Sequence, residues 1–166
     1  VKVNDAFRTP VLKTLQDIEA RFAARNEEKE VTIGMLRLPV PDYSPRGFRE
    51  AVNNAVLHRD YTRLDDAYIQ MHHDHLLITS PGGFPEGVTI DNILVHEPKP
   101  RNPRLAAAFK RIGLVEQTGR GVDRIFEGQL RYGRPAPDYT RSDASGVRVI
   151  LNGGEPSLRF ASFVYE

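Results

Sequence analysis

A chain of 166 residues, 40% of them hydrophobic, is long enough to build one domain around a real core. Its 23 basic and 22 acidic residues leave a net charge of +1, which excludes bulk charge as a means of coating nucleic acid or a membrane surface. The absence of cysteine excludes disulfides and thiolate metal sites and fits a reducing cytoplasm, and no apolar run approaches the roughly 20 residues of a membrane-spanning helix. The chain opens at Val1 rather than Met, with a helix almost at once and no signal peptide. The expectation is a single domain over 1–166, cut from a longer protein.

The first predicted element is a helix over 11–24, with Val11, Leu12, Leu15, Ile18 and Phe22 at helical spacing, followed by the charged stretch "RNEEKE". "VTIGMLRL" alternates and reads as one strand, and "PVPDYSP" reads as a loop. Ser44 suits an N-cap and Pro45 the first helical position, so a helix is expected from there to about Asp60. "AYIQMHH" and "HLLITS" predict a hairpin turning at His73-Asp74, and "SPGGFPEG" breaks it. An irregular segment with Pro98, Pro100 and Pro103 leads to a short helix, "RLAAAFKRIG", ended by Gly113. "GRG" then precedes a helix from about Val122 to Arg131, and "VRVIL" and "LRFASFVY" read as closing strands. Hairpins with too few βαβ units for a doubly wound fold predict a two-layer α/β sandwich, a mixed β-sheet with helices on one face.

Two stretches carry candidate chemistry. In "RGFREAVNNAVLHRDYT", Phe48, Ala51, Val52, Ala55 and Val56 form an apolar stripe, while Glu50 and Asn54 stack one turn apart on another side. An ordinary polar surface produces such a pair, and so does a helix wall lining a ligand pocket. In "TGRGVDRI", two glycines allow close backbone approach, and the helix start behind them offers free N–H groups to a phosphate. No Lys-Ser/Thr follows as a P-loop requires, and Arg124 stands at the third glycine of a dinucleotide fingerprint, so neither motif applies. "HRD" at 58–60 lacks the companions of a kinase loop, and "HHDH" at 72–75 sits at a hairpin tip rather than in a metal cage.

Taken together, "REAVNNAVLHRDYT", "ITSPGGFPEGVTIDNIL" and "RNPRLAAAFKRIGLVEQTGRGVDRI" resemble, in order and spacing over about 30–151, the helicase-RecG carboxy-terminal-like domain of the GHKL ATPase superfamily. The resemblance implies an ATP-binding module with a Bergerat-like sandwich. By that likeness Glu50 is the base that deprotonates water, and Asn54 is the Mg²⁺ ligand. Ser80, Gly82 and Gly83 fall at the motif under the adenine, with serine where the superfamily carries aspartate. Gly119, Arg120, Gly121 and Val122 match the glycine motif at the phosphates, and Arg101 and Asn102 lie in the segment corresponding to the ATP lid.

What the resemblance implies is a cytoplasmic nucleotide-binding protein using ATP and Mg²⁺. It would hydrolyse ATP slowly and regulate transcription, acting on DNA through a domain outside this chain and pairing as a homodimer. The alternative is a non-hydrolysing or degenerate module that mediates dimerisation. Residues 91–118, with Lys99, Arg101 and Arg104, are expected to form a lid that orders over bound polyphosphate, or else a fixed loop packed through Leu105, Phe109 and Ile112.

Overall fold

The computed structural model describes residues 5–33, 35–115 and 120–154. Among the described residues four helices and five strands follow one another as α1 (Val11–Ala23), β1 (Glu28–Ile33), β2 (Leu36–Pro41), α2 (Pro45–Leu57), β3 (Tyr68–Met71), β4 (His75–Pro81), α3 (Pro103–Arg111), α4 (Gly121–Leu130) and β5 (Gly146–Asn152). The expected strand 158–165 and Gly119 lie outside the described residues.

The sandwich is present as expected. Among the described residues its strands form two antiparallel sheets, β1-β2 and β3-β4-β5. "VTIGMLRL" is two strands rather than one, because β1 and β2 pair with each other from Glu28↔Pro41 to Ile33↔Leu36. Pro39 and Pro41 are tolerated in β2 because a two-stranded sheet leaves one side of each strand without ladder bonds.

Period-two alternation puts Leu76, Ile78 and Ser80 of β4 on one buried face, and register adds Leu151, Val149 and Val147 of β5 opposite them. α2 packs on this face, Ala51 lining the space between them, and Ile125 of α4 joins the same cluster. On the far side of α2, Phe22 of α1 stacks on Phe48 with ring centroids 3.8 Å apart. Asn26 ties α1 to the entry of α2 by accepting from the Tyr43 amide at 2.8 Å and donating to its carbonyl at 3.0 Å.

α2 begins where its capping chemistry places it. The Ser44 hydroxyl accepts from the Gly47 amide at 3.1 Å, and Pro45 takes the first turn. α2 and α4 cross closely at two glycines: a Cβ on Gly128 would lie 2.6 Å from Ser44 Oγ and 3.3 Å from the Gly47 Cα. That close approach brings the start of α4 alongside Glu50.

Candidate functional site

A cavity of about 240 Å³ opens between α2, α3, the start of α4, the β4–β5 face and the loop over 84–100. Its floor is apolar, with Ile78, Val149, Ile125 and Tyr139 among the lining residues. Glu50, Asn54, Ser80, Gly121 and Val122 all line it, so five of the sequence-selected residues converge from three separate elements, α2, β4 and α4.

The tightest convergence is at Gly121. A Cβ there would lie 3.0 Å from Glu50 Oε2 and 3.6 Å from both Asn54 Oδ1 and Nδ2. Glycine therefore keeps open a space bounded by a carboxylate, an amide and the N-terminal turn of α4, whose first N–H groups have no intrahelical partner. Glu50 is only 5% exposed, and its Oε1 accepts from Arg124 Nη1 at 3.0 Å. Neighbouring Asn53, also buried, turns the other way and donates to the Leu114 carbonyl at 2.9 Å.

Ser80 is 4% exposed and lies on the same face of β4 as Ile78, below the C-terminal half of α2. Its hydroxyl donates to the Ala55 carbonyl at 2.6 Å. With that proton committed, Oγ presents only acceptor capacity to a ligand.

The remaining selected residues build the frame around the cavity rather than its wall. Gly82 adopts φ +90°, and a Cβ there would meet Asp60 Cβ at 2.7 Å. Gly83 presses on Asp143 and Ala144, and its carbonyl accepts from Arg101 Nη2 at 2.6 Å. The Asn102 side chain donates to the carbonyls of Leu57 (2.7 Å) and Arg59 (2.8 Å), satisfying the open C-terminal end of α2. Arg120 is exposed at the N-cap position of α4 and makes no side-chain capping bond. The lid segment is split in the same way. α3 is docked through buried Ala106 and Phe109, whereas Ile112 is exposed. Residues 84–100 form the outer wall of the cavity, where Lys99 Nζ donates to the Glu86 carbonyl at 3.1 Å.

Two wall residues, Lys110 and His58, were not among the site residues selected from sequence. Lys110 of α3 lines the cavity and, with Lys99, supplies its positive charge; an amphipathic helix placed after a lid-like loop was the available signal. His58 lines it too, and burial, followed by the nearby Arg101 charge, lowers its pKa. Its Nδ1 and Arg101 Nε are buried without a hydrogen-bond partner. At the expected hairpin tip, His72 and His75 stack with centroids 4.4 Å apart, and among the described residues no three His, Cys, Asp or Glu side chains come together as a metal cage. No helix of the described residues is long and apolar enough to cross a membrane.

Residues 65–151 match the family described as "Putative ATP-dependent DNA helicase recG C-terminal". The match takes in β3, β4, α3, α4 and β5, with Ser80 and Gly121, and α2 precedes it. The crystal structure of the DIP2311 protein from Corynebacterium diphtheriae is similar at a TM-score of 0.84 and 32% identity over 93% of this chain. The comparison covers 32% of that protein, so this chain spans about a third of its length. No curated protein matches the chain. With more than half of its residues matched, the chain belongs to the recG C-terminal family of ATPase-like domains.

Proposed function

We propose that this chain is a GHKL-type nucleotide-binding domain that holds Mg²⁺-ATP in the α2–α4 cavity and hydrolyses it slowly. The observation that carries the reading is the space at Gly121, where the Glu50 carboxylate, the Asn54 amide and the start of α4 face one another. A carboxylate on this wall can accept a proton from water, and a helix start favours phosphate oxygens. Ser80 supports an adenine-type base, because a hydroxyl committed to Ala55 accepts from an exocyclic amine and does not donate to a carbonyl.

The donor set fits magnesium, which takes hard oxygen ligands and is commonly held by one or two protein groups together with substrate phosphates. Asn54 Oδ1 would hold it from α2, beside the opening that Gly121 leaves. When bound, Mg²⁺ supplies neutralisation of phosphate charge. The chain's own part is to orient water at Glu50 Oε2, to seat the phosphates at the start of α4 and to exclude bulk solvent with the 84–100 wall. Water would then lose a proton to Glu50 as its oxygen bonds to the γ-phosphorus and ADP leaves.

In this reading 1–166 is one domain of a longer cytoplasmic protein, and nucleotide occupancy governs a DNA-binding or transcription-regulating domain elsewhere or the pairing of two copies. A second reading is favoured by the serine at position 80 and by the ion pair on Glu50: the domain binds nucleotide without hydrolysing it, and Glu50 joins α2 to α4. Thermal unfolding with and without Mg²⁺-ATP or ADP tests the shared claim, because a ligand that binds only the folded state raises Tm by mass action. No shift with millimolar nucleotide contradicts both readings. Phosphate release distinguishes them.

A further inference from the structure

Glu50 is held from two sides. Toward the cavity, its Oε2 borders the opening at Gly121. Behind it, Arg124 Nη1 donates to Oε1 at 3.0 Å, and the side chains of Arg124 and Glu50 are largely buried, their side-chain exposures 12% and 7%. Arg124 does not line the cavity. It reaches Glu50 from a separate surface depression beside Ser44, Pro45, Gly128 and Tyr132. Arg124 stands three residues after Gly121, so one turn of α4 supplies both the opening in front of the carboxylate and the cation behind it.

We infer that Arg124 is a positioning residue for Glu50, fixing one carboxylate oxygen from outside the cavity so that the other is presented to the ligand. The inference rests on the reading of Glu50 as the base. A glutamate on a helix has three side-chain torsions to restrict, and a buried guanidinium restricts them by a directional, charge-assisted bond. Lysine carries the charge but not the planar fork, so it holds the carboxylate less well. The close crossing at Gly47 and Gly128 sets the distance between the two helices and therefore the length of this reach.

The test measures kcat and KM for Mg²⁺-ATP in the full chain and in Arg124→Met, Arg124→Lys, Glu50→Gln and the Glu50→Gln/Arg124→Met double variant. Arg124→Met is expected to lower kcat by about 10²-fold, the cost of displacing a reacting group by roughly 1 Å, with KM nearly unchanged. Arg124→Lys should recover part of that loss. In the Glu50→Gln background, Arg124→Met should lower kcat no further, since both changes act on one group. Where Arg124→Met fails to fold, Arg124→Lys carries the test through its kcat at unchanged KM. Wild-type kcat in Arg124→Lys, or an equal loss in both backgrounds, overturns the inference and leaves the hydrolytic reading standing. A wild-type chain that binds nucleotide but releases no phosphate overturns both.

Discussion

Replacing Gly121 with alanine puts a methyl group into the space that defines the candidate site. Its Cβ would lie 3.0 Å from Glu50 Oε2, about 0.4 Å inside the 3.4 Å at which ordinary contact begins. Arg124 holds the other carboxylate oxygen at 3.0 Å, so the carboxylate yields only by lengthening that ion pair. Alanine gains up to about 1 kcal/mol in helix propensity over glycine, while crowding a packed site costs about 1–3 kcal/mol. The net effect on stability therefore runs from near zero to about 3 kcal/mol, a Tm decrease of at most about 12 °C in a chain of this size. Nucleotide affinity should fall further, by at least about tenfold or 1.4 kcal/mol, because the methyl group also stands 3.6 Å from Asn54 Oδ1 and next to the first free amides of α4. Titration calorimetry with Mg²⁺-ATP, run beside thermal melts of both proteins, reads the two effects separately. A folded Gly121→Ala protein with wild-type affinity would refute the placement of the phosphates at this turn.

Three further outcomes follow from named contacts. Glu50→Gln should lower phosphate release by about 10²- to 10⁴-fold, the usual share of a positioned base, while nucleotide binding persists; unchanged turnover would exclude Glu50 as the base. Phe109 is 1% exposed, so Phe109→Ala should cost about 3–5 kcal/mol in urea unfolding without nucleotide, whereas a loss under 1 kcal/mol would mean that α3 docks only over ligand. The Asp143 carboxyl is held down to about 2, first by the Ser145 hydroxyl and amide and then by Arg148 and the Gly146 amide. A depressed folded-state pKa stabilises above the unfolded value of 3.8 and loses that contribution as pH falls toward about 2. Asp143→Asn should therefore lower Tm at pH 7 and match wild type near pH 2; a gap independent of pH would contradict the assignment.

What the sequence revealed follows the range of the interactions involved. The start of α2 was legible because Ser44 and Pro45 act on backbone groups within one turn. The β3–β4 hairpin was legible from alternation around a short turn, and the same alternation puts Ser80 on the face of Ile78. The split of β1 from β2 was not, because alternation runs through both strands and prolines disguise the second. Glu50, Asn54 and Gly121 were selected by motif, but their meeting depends on the Gly47–Gly128 crossing, which pairs residues 81 positions apart in the chain. For the same reason Arg124 was seen only as a misplaced third glycine, and its bond to Glu50 was invisible. Arg101 and Asn102 were chosen because they lie in the segment corresponding to the ATP lid. Their observed partners are main-chain carbonyls of the Gly83 turn and of residues 57 and 59 at the end of α2, a long-range framing role that composition does not signal.

Titration of the wild-type chain with ATP, in the presence and absence of Mg²⁺, decides whether the α2–α4 cavity is a nucleotide site. Saturable binding is expected at one site per chain, tightened by Mg²⁺ and weakened when Asn54 is replaced by alanine. Absence of binding at millimolar ATP with and without Mg²⁺, in protein shown to be folded, would contradict it.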